Sequence, residues 1–266
     1  MQRNRGQQPL RPSPQTQFVR DSSLFSISLV LVGFCSLIRS FIIAKLLGPQ
    51  GFGTWRFVNI FLEYLSFAFL GTQLAMTQQV PFLRGQGSLQ QWQAVLRTVC
   101  ATNVYSAFFY SAMVFAWSFL VTDSESAKAL AVFAPVIWVF AWLHYAKEYA
   151  IATEHYGLRR RLEIVHALAT LLFSVVLVPF WGVYGAIAGL GISTLIALGM
   201  SARQIRQHLT LYVDWRLLWS LMRLGMPIMV DFMLVLTMAN MDRLLIAAML
   251  DHETPTSSLQ RPKIER

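Results

Sequence analysis

Arg39, Glu63, Asp231, Asp242 and Arg243 each place an ionisable group inside a run of apolar residues. A charge at that position is costly in hydrocarbon, so such groups turn toward a protein interior or a water-filled cavity, where they attract ions, polar cargo or one another. Arg39 lies about 12 Å along a helix from Leu47 and Glu63 about 15 Å from Gly53, at the usual helical rise. On consecutive helices those depths match closely enough for the two to pair. Asn59, Glu63, Ser66 and Gln73 follow one another at spacings of four, three and seven, share one helical face and predict a polar lining. Asp231 and Asp242 are almost three whole helical turns apart and look toward the same space. Asp242 and Arg243 are about 100° apart around the helix, so each needs a partner elsewhere. Thr98, Thr102, Ser106 and Tyr110, with Asn103 adjacent, and then His166, Thr170 and Ser174, add weakly polar faces. For the Ser and Thr residues, hydrogen bonds that hold helices together explain the pattern better than a cavity does.

Catalytic chemistry has little to work with. His144, His155, His166, His208 and His252 are scattered over different segments, and neither HExxH nor GxSxG occurs. Cys35 and Cys100 both sit in apolar runs and read as small buried residues. The expectation is therefore a protein that is not an enzyme, with no metal and no cofactor.

The elements that must position these groups follow from composition. Of 266 residues, 55% are hydrophobic and 13% charged, against about 25% charged in a soluble domain. That excludes an ordinary water-soluble domain and predicts an all-α polytopic membrane protein. Segments long enough to cross a hydrocarbon core of about 30 Å are 24–47, 53–76, 98–121, 130–146, 162–178, 183–200 and 224–250. The organisation expected is a polar N-terminal segment (1–23), a six-helix lobe (24–200), a linker (201–223), a seventh helix (224–250) and a polar, disordered tail (251–266). In the linker, Trp215, Leu217, Leu218, Leu221 and Met222 alternate with Arg216 and Arg223, the pattern of an amphipathic helix lying in the membrane interface. Gly182, Gly185, Gly189 and Gly191, with Ala186 and Ala188, predict close helix packing rather than a site.

The net charge of +9 is mostly topology. With a cytoplasmic N-terminus, the inner connections carry Arg3, Arg5, Arg11, Arg20, Arg84, Arg97, Lys147, Arg159, Arg160, Arg161, Arg203, Arg206, Arg216 and Arg223. The outer ones carry only Lys45, Lys128, Arg261, Lys263 and Arg266. That asymmetry is the positive-inside pattern, and it leaves no basic face for nucleic acid. Arg159, Arg160 and Arg161 are expected to touch anionic membrane lipids.

Residues 39–46 and 243–250 agree in four of eight columns, each beginning with Arg, as though the seventh helix opened a second bundle like the first. Residues 44–55, Ala-Lys-Leu-Leu-Gly-Pro-Gln-Gly-Phe-Gly-Thr-Trp, resemble the LGPxxFG hallmark of polysaccharide flippases in the multidrug/oligosaccharidyl-lipid/polysaccharide (MATE-like) exporter superfamily. Asp242-Arg243-Leu244-Leu245-Ile246 resembles the Asp-Arg signature of that family's seventh helix, and Gly182-Val183-Tyr184-Gly185-Ala186 its turn into the sixth. The resemblance covers about residues 20–250 and implies a six-helix lobe joined to the first helix of a second lobe.

The resemblance further implies movement of lipid-linked oligosaccharide across a cell inner membrane, by alternating access through a polar cavity, for surface polysaccharide synthesis. On that reading Arg39, with Arg243, attracts the cargo's pyrophosphate, Glu63 and Asn59 share the substrate site, and Asp231 and Asp242 orient the arginines or sense a coupling ion. Family members have a full second lobe, so a second polypeptide or copy is implied as partner. The alternatives are a non-transporting fragment or scaffold of a glycan pathway and a drug exporter of the same superfamily.

Overall fold

The computed structural model of the protein describes residues 14–206 and 212–252. Among them there is no strand. Seven helices follow in order: α1 (Pro14–Glu63), α2 (Leu65–Ala68), α3 (Thr72–Gly85), α4 (Leu89–Trp117), α5 (Ser124–Ala152), α6 (Tyr156–Arg206) and α7 (Trp215–His252). Five helical stretches are long and apolar enough to cross a membrane, and the chain is an all-α polytopic membrane protein.

α1 has 50 residues and α6 has 51, each about 75 Å if straight and more than twice the hydrocarbon thickness. Neither is straight. α1 breaks at Gly48 (φ 68°, ψ −178°) and α6 at Gly182 (φ 56°, ψ −129°), both in the positive-φ region that glycine enters without a steric penalty. Pro49 directly follows the first break, where its fixed φ and missing N–H suit the opening of a helix. α6 folds back on itself, because a Cβ on Gly185 would run into the Leu177 carbonyl and one on Gly189 would stand 3.0 Å from the Ser174 nitrogen. The glycines there do serve close packing. α1 and α6 make the most extensive contact in the bundle.

The second apolar segment differs from the expectation of one continuous helix over 53–76. α1 ends at Glu63, α2 is a single turn, and Leu70 (φ 51°) and Gly71 (φ 71°) carry two successive positive φ angles before α3 starts. Hydropathy does not reveal such a break, since the residues around it are apolar. The linker differs too. Residues 201–206 complete α6 and 215–223 form the first turns of α7, so the basic-aromatic stretch continues into the spanning helix rather than forming a separate one. Of the polar N-terminal segment expected at 1–23 the structure describes residues from 14 on, which open α1, and of the tail expected at 251–266 only 251 and 252, which end α7; residues 1–13 and 253–266 lie outside the described residues.

Two apolar clusters fill the bundle. One contains Ile43, Trp55, Leu65, Phe69, Ala107, Phe133, Ile137 and Ile187; the other contains Ala75, Met76, Leu96, Cys100, Leu143, Tyr145, Leu162 and Leu221. Gln73, Asn103, Thr170, Ser193 and Thr194 fall between the two clusters along their helices, so a buried polar layer divides the core. On the outside, Phe34, Phe41, Phe108, Phe109, Phe119, Leu172 and Phe180 are exposed. In water such a belt would drive aggregation; against acyl chains it is the expected surface.

Candidate functional site

The helix break and the polar layer meet at one cavity. Glu63, at the end of α1, Ser66 on α2 and Gln73 on the first turn of α3 line a space of about 390 Å³, with His144 and Glu148 from α5, Arg159 from α6, and Met229 and Phe232 from α7. Non-helical backbone at membrane depth is tolerated where it borders protein or a hydrated cavity rather than lipid, which is where this break sits. α7 closes one side. Gly225 and Gly71 meet backbone to backbone, and a Cβ on Gly71 would lie 2.5 Å from the Gly225 carbonyl carbon.

A hydrogen-bonded chain forms the cavity floor. Gln73 Nε2 donates to Asn103 Oδ1 at 2.8 Å, so its Oε1 is the acceptor that faces His144 Nδ1 at 2.6 Å. This assigns the ring proton to Nδ1, since only a donor satisfies that oxygen. Phe69 stacks on the same ring with centroids 5.7 Å apart.

One wall is ionic. Lys147 Nζ contacts Glu163 Oε2 at 2.7 Å, and Arg159 bridges Glu163 Oε1 at 2.8 Å and Glu148 Oε1 at 3.4 Å. Lys147 and Glu163 are both buried. Nearby, Arg84 donates to the Thr153 carbonyl at 2.8 Å and lies 5.8 Å from the Trp92 ring centre. Arg159 therefore turns inward to carboxylates, while Arg161 of the same basic run is exposed. The clue in sequence was Glu163 at i+4 from Arg159, with Lys147 and Glu148 ending the preceding helix.

Arg39 occupies a different place. It lines a cavity of about 180 Å³ between α1 and α6, with Cys35, Ser36, His166 and Thr170. Its Nε is buried without a hydrogen-bond partner, and Arg56 is an electrostatic neighbour. Opposite it, His166 Nε2 lies 3.3 Å from Thr194 Oγ1 and Thr170 Oγ1 lies 2.7 Å from Ser193 Oγ, tying the two halves of α6 together. The expected Arg39–Glu63 pair is not formed: among the described residues neither has an ion-pair partner, and they line separate cavities. Equal depth says nothing about azimuth, and the two side chains point into different gaps between helices.

The remaining candidates divide. Glu63, Ser66 and Gln73 do share one cavity, although the helix between them is broken; Asn59 does not, and its Nδ2 donates to the Trp55 carbonyl at 2.9 Å, one turn back on its own helix. Asp231 is exposed and lines no described cavity with Met229 and Phe232. The side chains of Asp242 and Arg243 lie outside the described residues, and so do the substrate-binding role expected of Arg243 and the orienting role expected of Asp242. Sequence reasoning missed His144, Glu148 and Arg159 as cavity residues because α5 and α6 lie far along the chain from the α1–α3 region that supplies Glu63, Ser66 and Gln73.

Two larger, mostly apolar spaces run along α4. One of about 810 Å³ is bordered by Thr102, Tyr105, Ser106, Trp215 and Trp219, and one of about 630 Å³ by Tyr64, Phe67, Phe109, Tyr110 and Met233. Tyr105, Ser106 and Leu70 border both. Tyr110 is held by donation from its hydroxyl to the Phe61 carbonyl at 2.8 Å. No protein-family model and no curated protein sequence matches the chain.

Proposed function

We propose that the chain takes part in moving an anionic amphiphile, a lipid-linked oligosaccharide, across a cell inner membrane in which its N-terminus is cytoplasmic. The observation that carries this reading is the Arg39 guanidinium, whose buried Nε lacks a partner at the wall of a cavity between α1 and α6. A buried, unsatisfied cationic donor is costly, and an anion satisfies both its charge and its N–H. At about 180 Å³ the space holds roughly six waters' worth of volume, room for a phosphate group but not for a sugar chain.

Phosphate must cross hydrocarbon shielded from it, and Arg is suited to forked contact with phosphate oxygens. The positive-inside distribution of Lys and Arg supports the orientation. α7 packs on α3 and α4 and leaves Phe232, Leu234, Val235 and Met238 exposed, a face that a second copy or another polypeptide of the transporter would cover. In a cell whose surface glycan depends on this chain, Arg39→Ala is expected to abolish glycan display while membrane insertion is kept. Arg39→Lys keeps the charge and loses the fork, and is expected to restore part of it. Normal display in Arg39→Ala would refute the reading; efflux of cationic dyes without any effect on glycan would point instead to a drug exporter.

A further inference from the structure

The two larger spaces along α4 form one groove. Leu70, Tyr105 and Ser106 border both, so the space that starts at Trp215 and Trp219 continues past the helix break to Tyr110 and Met113. α4 makes one wall and α7 the other, and Tyr64, Phe67 and Ala68 of the broken segment stand behind them. From Thr102 to Met113 the groove follows α4 for about 16 Å at the usual helical rise. That is close to half of a hydrocarbon core of about 30 Å, the depth of one leaflet.

Charge gathers at one end. Trp215 begins both α7 and its membrane-crossing stretch, and Tyr212, Trp215 and Trp219 are exposed there, the placement aromatic side chains take at headgroup level. Arg216 and Arg223 are almost two whole turns apart and share a face of α7, with Trp219 between them. Both are exposed, and neither is in an ion pair among the described residues. Arg223 borders an adjoining space of about 610 Å³ that Trp219 and Met222 share with the groove. Arg97, also exposed, precedes Thr102 on α4 at the same end. Two carboxylates flank the pair. Asp214 is turned to its own chain, its Oδ1 accepting from the Arg216 N–H at 3.0 Å and the Leu217 N–H at 3.2 Å. Asp231 lies about 12 Å beyond Arg223 along the helix.

We propose that this groove binds an anionic glycerophospholipid of the leaflet in which α7 begins, with one acyl chain lying along α4 and the phosphate held between Arg216 and Arg223. Every lipid of a bilayer competes for an apolar groove, so burial of a chain confers no preference; the headgroup must supply it. Guanidinium gives phosphate forked contacts, and each basic residue near the surface favours a net negative headgroup about fivefold. The occupant is distinct from any cargo of Arg39, which lines a separate cavity between α1 and α6.

The test places the full chain in phosphatidylcholine bilayers with rising fractions of phosphatidylglycerol brominated on its acyl chains, and reads tryptophan fluorescence, which bromine quenches at close range. Subtracting the signal of a Trp215→Phe, Trp219→Phe double variant isolates the two rings at the groove mouth. Their quenching is expected to saturate at a low fraction of brominated phosphatidylglycerol, whereas phosphatidylcholine brominated in the same way quenches in simple proportion to its amount. Arg216→Gln and Arg223→Gln should each weaken the preference about fivefold. Ser106→Phe, which puts a ring into the groove and leaves both arginines in place, should abolish saturation. Equal quenching by the two lipids would overturn the proposal, as would an unchanged preference when both arginines are replaced. Displacement by unlabelled polyprenyl phosphate at a far lower fraction than by unlabelled phosphatidylglycerol would give the groove to the cargo lipid and overturn it too, as would an absence of quenching in a chain that migrates as a dimer. Arg39→Ala is expected to leave the lipid preference unchanged, so failure here and failure of the reading of Arg39 are separate results.

Discussion

The Gly71–Gly225 contact holds α7 against the broken helix, and its removal has a magnitude that can be worked out. In Gly225→Ala the new Cβ would stand 2.6 Å from the Gly71 carbonyl carbon and 3.0 Å from its Cα. Ordinary contact begins at 3.4 Å, so the carbonyl carbon alone requires the two backbones to part by about 0.8 Å, and the Gly71 carbonyl oxygen, which lies nearer still to the new Cβ, requires more. No flexible side chain is available to yield; two helices must move. Overpacking of this kind costs about 1–3 kcal/mol, and rigid backbone on both sides places this substitution toward the upper end. The control is Gly33→Ala, at an exposed position in α1 where a Cβ meets nothing within 4 Å. There the change is expected to be neutral or slightly stabilising, because Ala is the better helix former. Thermal unfolding of the purified chain in one detergent, followed by tryptophan fluorescence, compares the three proteins. Gly225→Ala should unfold several degrees below the others. If Gly225→Ala and Gly33→Ala unfold together, the α3–α7 crossing described above is wrong.

Glu163→Gln leaves Lys147 and Arg159 sharing too few carboxylates in a buried setting, and a broken buried pair costs about 3–5 kcal/mol; Arg161→Ala, at an exposed position, should cost almost nothing, and equal melting of the two variants would refute the buried network. Asp123 caps α5, accepting from the Ser126 N–H at 3.0 Å and the Glu125 N–H at 3.4 Å, and hydrogen bonding from Ser126 holds its carboxyl below the ordinary carboxylate range. Because the folded value is the depressed one, the cap contributes fully above the ordinary Asp value, about 3.9, and is lost as pH falls through the folded value. Amide-exchange protection at 125 and 126 should decline across that acid window, and Asp123→Asn, which caps without titrating, should flatten the decline; an unchanged pH profile in Asp123→Asn would remove the carboxylate from the account.

What was legible in the sequence is what depends on local composition and periodicity. The membrane-crossing character, the helical class, the turn at Gly48 followed by Pro49 and the tight packing at Gly185 and Gly189 all follow from residue type and nearest spacing, because hydrophobicity, glycine φ freedom and proline geometry act within a few residues. The spacing of Asn59, Glu63, Ser66 and Gln73 predicts one lining; Glu63, Ser66 and Gln73 do line one cavity, by way of a broken rather than a continuous helix, and Asn59 does not.

The tertiary structure alone decided which buried groups meet. Arg39 and Glu63 have matching depth along consecutive segments, yet depth is one coordinate, and the rotation of each helix about its axis placed them in separate cavities. Gln73, Asn103 and His144 come from three helices and form one chain of hydrogen bonds; Lys147, Glu148, Arg159 and Glu163 neutralise one another across α5 and α6. Those pairings depend on how helices from distant parts of the chain cross, and that is set by the close approach of small residues such as Gly71 and Gly225 and by the volume of the side chains around them. A sequence states each residue's own preference for burial; only the packed bundle supplies its partner.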